Sequence, residues 1–279
     1  MSGFSPAWLD LREDVDHRSR NRRLERALAK HFDGWRPITV VDLGCGTGSN
    51  LRATAPLLGP EQHWTLVDHD QALLDAAAGR LTAWADGADR QGGTLALFKG
   101  PKRVNVEFRR ADLARDLEGA LGDNANLVTA SALFDLVSAE FIARFAAAVA
   151  ARKSAFYTVL TYDGDQRWMP EHEADAALLA AFHAHQQRDK GFGPAAGPDA
   201  PDALSDAFAA VGYAVQGGDS AWRLGDGDGA LIAELTAGFA AAARETAQID
   251  APTVAAWRAV DRTAAVVGHA DTLALPLGA

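Results

Sequence analysis

An α/β fold with a doubly wound, mostly parallel sheet is what this chain of 279 residues predicts. Three observations carry that expectation. An apolar run, Val40-Val41-Asp42-Leu43, breaks into Gly44-Cys45-Gly46-Thr47-Gly48 and opens a helix at Ser49-Asn50. A second apolar strand, Trp64-Thr65-Leu66-Val67, ends on Asp68, about two dozen residues after Gly44. Strands then alternate with helices as far as residue 162, the pattern of parallel strands joined by crossover helices.

In chain order, residues 5–33 read as helical, with apolar positions at Trp8, Leu9, Leu11, Val15, Leu24, Leu28 and Phe32. The first two strands and the glycine loop follow. Asp70 suits an N-cap for a helix over 71–86, which ends near Gly87, and Gly92-Gly93 marks a loop. A third strand covers 104–110 and a fourth 125–131. An alanine-rich helix over 138–151 buries Phe141, Ile142 and Phe145, and a fifth strand runs over 154–162. Beyond it lie an amphipathic helix over 171–190, a Gly/Pro-rich loop over 191–203, a helix over 202–211 and a strand at 213–216. Helices near 227–247 and 252–264 precede a last strand over 265–275. The competing parse makes 220–224 the last strand and leaves a helical tail.

Glycines at alternate positions let the backbone adopt angles closed to other residues and approach a ligand closely. The helix that follows aims its free N–H groups at whatever occupies the loop. The dinucleotide spacing G-x-G-x-x-G would need glycine at 49 or 51, where Ser49 and Leu51 stand, and there is no G-x-x-x-x-G-K-[ST] phosphate loop here. Asp42 to Gly48 instead resembles, without a gap, the first motif of class I S-adenosylmethionine-dependent methyltransferases: an acid, an apolar residue, then G-x-G-x-G. The order of the first four strands agrees from residue 40 to about 137.

The resemblance implies a Rossmann-like, seven-stranded sheet with the last strand antiparallel beside the fifth. It implies S-adenosylmethionine as cofactor, and S-adenosylhomocysteine as product. Asp42, Gly44, Cys45, Gly46, Gly48 and Asn50 would form the cradle. Asp68, with His69 beside it, would take the ribose hydroxyls, since a carboxylate accepts from both. Asp112 would accept from the adenine amino group, and Leu113 would offer its backbone N–H. Ser131 ends the fourth strand, near which the family's reacting groups sit. The organisation expected is one domain over 1–279. It comprises a helical lid (1–36), a cofactor-binding core (37–162), helical cap insertions (163–203 and 217–264) and the last strand (265–275).

Composition fits an enzyme of the reducing cytoplasm. No apolar run is long enough to span a membrane, and the N-terminus lacks the regions of a signal peptide. The sole cysteine, Cys45, excludes an intramolecular disulfide and reads as a small loop residue, not a nucleophile. A net charge of −10 argues against a nucleic-acid partner. The one basic cluster, Arg18, Arg20, Arg22, Arg23 and Arg26, is interleaved with acids and reads as a solvated helix face.

The methyl acceptor is expected to be a small molecule, with RNA or protein as the rival. A methyltransferase-like binder without turnover is a third reading. The segment from His183 to Gly193, with His185, Arg188, Lys190 and Phe192, is dense in groups that donate, accept or titrate. His183 or His185 suits a general base, and both also suit the end of an exposed helix. The two histidines are two apart, so they diverge on a helix and no metal site is expected. Tyr162 and Asp163 stand at the end of strand five and Asp135 just past strand four, where ligands bind in open α/β sheets. Asp163-Gly164-Asp165 also reads as a turn. In the first helix, Trp8 and Arg12 are candidates to close over the site, with Arg12 or Arg18 pairing the cofactor carboxylate. Trp222 and Trp257 read as core anchors.

Overall fold

The computed structural model describes residues 4–277. Its centre is a parallel sheet. Strand β1 (Ile38–Leu43) lies between β2 (Glu61–Asp68) and a later strand, β6 (Leu127–Ser131), parallel to both. Two antiparallel strands, β3 (Gly87–Gln91) and β4 (Thr94–Lys99), lead into β5 (Lys102–Arg110), which pairs parallel with β2. On the other side β7 (Ala155–Met169) joins β6 in parallel. The chain then builds β8 (Tyr213–Asp219), short β9 (Trp222–Leu224) and β10 (Ala264–Pro276). β10 inserts antiparallel between β7 and β8, giving the order β3-β4-β5-β2-β1-β6-β7-β10-β8. Strand 265–275 is therefore the last strand, as the first parse has it. The segment 220–224 contributes only β9, hydrogen-bonded to the start of β10.

Alternation along the strands separates two cores. Val40 and Leu66 face one layer, and Val41, Leu43 and Val67 face the other. The second layer holds helices α5 (Leu117–Leu121), α6 (Ala139–Arg152) and α8 (Ala200–Ala210). There Phe156 stacks on Phe208 at 4.6 Å and meets Phe145 edge-on at 5.1 Å. The first layer holds α1 (Pro6–Ser19), α2 (Arg22–His31), α3 (Ser49–Thr54) and α4 (Gln71–Trp84). Cap helices α7 (Asp175–Gln186), α9 (Gly229–Thr246) and α10 (Ala251–Arg258) extend it. Trp257 and Trp222 are both buried there.

Four sequence expectations are corrected. The helix expected over 5–33 is two helices, because Arg20 is extended (ψ 143°) and Asn21 caps α2, accepting from the N–H groups of Arg23 and Leu24. Gly92-Gly93 is a loop as expected, but it is the turn of a β3–β4 hairpin whose two strands the sequence reading leaves out. The fifth strand does not stop at Tyr162. Asp163-Gly164-Asp165 forms a bulge opposite Gly268, with Gly164 at φ +94°, and the strand runs on to Met169. The fourth concerns one member of the basic cluster: Arg18, Arg22, Arg23 and Arg26 are exposed, as on a solvated face, and Arg20 is not. Arg20 is buried, Arg18 pairs with Asp228, and Arg23 donates to Gln216 and to the Gly217 carbonyl.

Candidate cofactor and acceptor site

The loop after β1 is shaped by glycine. Gly44, Gly46 and Gly48 all have positive φ, the left-handed region that other residues avoid. A Cβ on Gly46 would stand 3.0 Å from Leu9 Cδ1 of α1, so the overlying helix and the loop approach as closely as they do only because the side chain is missing. The Cys45 N–H donates to the Val67 carbonyl at 3.0 Å, tying the loop to β2. At the end of β2, buried Asp68 accepts from the Gly46 N–H through Oδ2 and from the Asp70 N–H through Oδ1, both at 3.0 Å. Those two bonds hold its carboxylate at the loop.

A cavity of about 240 Å³ opens above these strand ends. Its walls include Gly44, Cys45, Gly46 and Asn50 from the loop and α3, and Asp68 and His69 from β2 and its end. Asp112 and Leu113 follow β5, Ser131 ends β6, and Phe192 comes from the Gly191-Phe192-Gly193 turn. Helix α1 and Phe4, two residues ahead of it, supply the roof, with Leu9, Arg12 and Asp16 from the helix. Asp112 accepts from the Ala114 N–H at 3.0 Å, which orients its carboxyl group.

Two loop residues stand off the wall. Gly48 starts α3 in the left-handed region and packs against Leu81 and Ala77 of α4. Asp42 is fully buried beneath the loop, where its Oδ1 accepts from Asn50 Nδ2 at 2.7 Å and its Oδ2 has no partner. Burial pushes its carboxyl up to about 7. Asn50 in turn accepts from buried Arg20 and contacts Thr129, so a polar chain runs from the α1–α2 break to β6 under the cradle.

Several candidates lie away from the cavity. Arg18 forms an ion pair with Asp228 at 2.6 Å on the outer side of α1. Its position argues against a role at a cofactor carboxylate. His185 and Arg188 both meet Glu245 of α9, at 3.0 and 3.2 Å, which ties α7 to α9 and gives neither a place in the site. Trp8 packs against the first core layer, and Asp163 sits in the β7 bulge, accepting from the Asp165 N–H.

Tyr162, His183 and Asp135 do not line the cavity but stand near one another. The Tyr162 hydroxyl lies 3.0 Å from His183 Nε2. Burial raises the tyrosine and lowers the histidine, so both are neutral near pH 7. Asp135 is buried past β6, with Arg12 and Lys190 as the nearby cations, and burial lifts its carboxyl to about 6. Sequence reasoning missed His269 of β10, register partner of Tyr162, whose ring is 4.9 Å from Trp222 and whose Nδ1 is buried without a partner. It also missed Leu9 and Asp16. Their spacing with Arg12 (i, i+3, i+7) was the available signal, because it puts all three on one helix face.

No family model and no curated protein matches the chain. Solved structures do. A cyclopropane-fatty-acyl-phospholipid synthase-like protein from Lactobacillus casei superposes with a TM-score of 0.54 at 16% identity, over 97% of this chain and 94% of that one. The YcgJ protein from Bacillus subtilis gives 0.49 at 13% identity, over 92% and 100%. Magnesium protoporphyrin IX methyltransferase from Synechocystis, with bound SAM, gives 0.42 at 13% identity, over 79% and 80%. The chain has the class I methyltransferase fold. Seven of its strands, β5-β2-β1-β6-β7-β10-β8 with β10 reversed, make up that fold's sheet, and the β3–β4 hairpin and β9 are additions to it. Methyltransferases of this fold use S-adenosylmethionine.

Proposed function

We propose that the protein transfers the methyl group of S-adenosylmethionine to a small-molecule acceptor. The observation that carries this reading is the placement of the Asp68 carboxylate, fixed by the Gly46 N–H at 3.0 Å, on the wall of a cavity floored by the glycine loop. The residues fit the cofactor. Asp68 has lone pairs left for ribose hydroxyls, and Asp112 has them for an adenine amino group. Leu73 and Leu113 give apolar walls. Asp16, Asp68 and Asp112 line the same cavity, and carboxylates favour a ligand that carries a cationic sulfonium.

When bound, the cofactor supplies an electrophilic methyl carbon. This chain's residues hold it and exclude water. Phe4 and Leu9 roof the cavity, and Phe192 closes one side of it. Where the acceptor must lose a proton, the Tyr162–His183 pair is the base we assign. His183 Nε2 lies 3.0 Å from the tyrosine hydroxyl, within reach of a proton passed along the pair. Asp135, held near Arg12 and Lys190, orients the acceptor. The single buried cysteine suits the reducing cytoplasm we assign as its location.

Calorimetric titration with S-adenosylhomocysteine, with NAD in parallel, tests the reading. Saturable binding of the first ligand alone is the expected outcome. Binding of NAD alone, or of neither, would reduce the assignment to a statement about fold.

A further inference from the structure

β7 changes face part-way along. Ala155, Tyr157 and Val159 point into the first core layer and Phe156 into the second, as alternation requires. Carried on, that alternation would put Thr161 in the first layer and turn Tyr162 to the second. The protein has the reverse: Leu160 and Tyr162 both face the first layer, where α1 and α7 lie. The pairing with β10 shows how. Tyr157 and Thr158 pair with Leu273 and Thr272, and Thr161 and Tyr162 pair with Ala270 and His269. Between them Val159 and Leu160 oppose Asp271 alone, a β-bulge whose extra residue exchanges the faces of the residues that follow.

The bulge holds a strained residue and a buried carboxylate. Leu160 sits at φ +58°, a region that a residue with a Cβ avoids, and such strain persists where the surroundings hold it. Its N–H, left out of the ladder, donates to Asp271 Oδ1 at 2.9 Å. Asp271 Oδ2 accepts from the Asn21 N–H at 2.8 Å, at the break between α1 and α2. Asp271 is fully buried. A carboxylate there costs desolvation that an apolar residue would not, and the two N–H groups, arriving from separate elements, offset it. An asparagine has one oxygen in place of two and would meet one of those donors with an N–H of its own.

Resting on the Tyr162–His183 base of the methyltransferase reading, we infer that Asp271 is the positioning residue for that base. Its carboxylate holds the bulge, and the bulge puts the Tyr162 ring in the first layer. There the hydroxyl reaches His183 Nε2 at 3.0 Å, and Phe182 meets the ring edge-on at 5.8 Å. Without the bulge Tyr162 would point at the layer of Phe156 and Phe208, on the other side of the sheet from α7. Through Asn21 the same carboxylate ties the chain just past the roof helix to the strand that bears the base, so roof and base share one anchor.

The test reads Tyr162 directly. The chain has three tyrosines, Tyr157, Tyr162 and Tyr213, so 3-fluorotyrosine labelling gives one fluorine NMR line for each, and Tyr162→Phe identifies the line of interest. His183→Ala is then made in the wild type, in Asp271→Leu and in Asp271→Asn. Asp271→Leu removes both acceptors and keeps the branching of the side chain, whereas Asp271→Asn keeps one acceptor. Urea unfolding follows the stability of each chain separately. In the wild type, His183→Ala should move the Tyr162 line, because the two groups touch. In Asp271→Leu that shift should vanish, and in Asp271→Asn it should survive in part. Should Asp271→Leu not fold, Asp271→Asn carries the comparison alone. Lower stability with the full His183 shift kept would mean that Asp271 only holds the sheet together, and the inference falls. A Tyr162 line that ignores His183→Ala in the wild type removes the base pair itself and this inference with it, while the cofactor reading stands on its own titration.

Discussion

Asp42 occupies the most confined position of any acid in the cradle, with one oxygen on Asn50 and the other unpartnered. Its ordinary value of 3.8 rises to about 7 on burial, so the folded protein holds this proton more tightly than the unfolded chain. The stabilisation is complete below the unfolded value and is lost as pH climbs through the window from about 4 to about 7. Asp135, raised to about 6, adds to the same slope, whereas His269, lowered to about 3, destabilises the fold as pH falls below its ordinary 6.5. Urea unfolding near pH 5 and near pH 8 should show the wild type losing stability on the alkaline side and Asp42→Asn losing less. Equal losses would mean that Asp42 does not carry that proton. Asp68 makes a simpler prediction. Asp68→Ala should weaken S-adenosylhomocysteine by about 1–3 kcal/mol, the cost of abandoned buried hydrogen bonds, and unchanged calorimetric affinity would take Asp68 out of the ribose role. The residues that line the cavity at the glycine loop and the strand ends were the legible ones, because glycine spacing and acids at strand ends are written locally. Asp16 was not, since what places it on the cavity wall is packing across elements distant in sequence.

At the scale of elements, the strands with apolar alternation were readable and the others were not. β3 is Gly-Ala-Asp-Arg-Gln, mostly exposed, and nothing in those residues separates it from a loop. β7 was cut short because Asp163-Gly164-Asp165 carries turn chemistry, which the protein uses as a bulge instead. A second irregularity lies at Leu160, which has φ +58° and donates its N–H to Asp271 of β10 at 2.9 Å. Helix α10 shows what a correctly read anchor does. Trp257 meets Trp168 edge-on at 5.4 Å and donates through Nε1 to Asp175 at 2.6 Å, joining α10 to β7 and α7. Trp257→Ala should cost about 3–5 kcal/mol in urea unfolding, the range for emptying a buried aromatic site. A loss under about 1 kcal/mol would show that the cap helices stand without it. The contact between loop and α1 predicts a coupled pair. Gly46→Ala adds a methyl at 3.0 Å from Leu9 at an unfavourable φ, and should weaken S-adenosylhomocysteine; Leu9→Ala in the same chain should restore part of the affinity. Strictly additive effects would mean that the two do not touch.

For the whole molecule, the question is how a ligand enters a cavity roofed by α1. Besides its apolar contacts and the His17–Ser49 bond, the roof is fastened to the body by ion pairs: Asp10 to Arg80 of α4, Arg18 to Asp228 before α9, and Glu13 to Arg52 of α3. The first two have at least one side chain well exposed, whereas Arg52 and Glu13 are more enclosed. Exposed pairs are worth little individually and weaken as salt shortens the Debye length, about 10 Å at 0.1 M and about 3 Å at 1 M. The two cores, which carry most of the stability, are apolar and do not share that sensitivity. Roof and body should therefore respond differently to ionic strength. S-adenosylhomocysteine has no net charge near pH 7, so long-range steering contributes little to its kinetics, and a salt effect on release reports the roof. Stopped-flow release of S-adenosylhomocysteine should accelerate several-fold between about 0.05 M and about 0.5 M sodium chloride, with the urea midpoint nearly unchanged. Asp10→Ala and Asp228→Ala should each reproduce the fast release at low salt. Release rates indifferent to both salt and these substitutions would show that α1 is held by its apolar underside alone, through Val15 and the residues packed with it. Ligand exchange would then require a larger opening than these three pairs control.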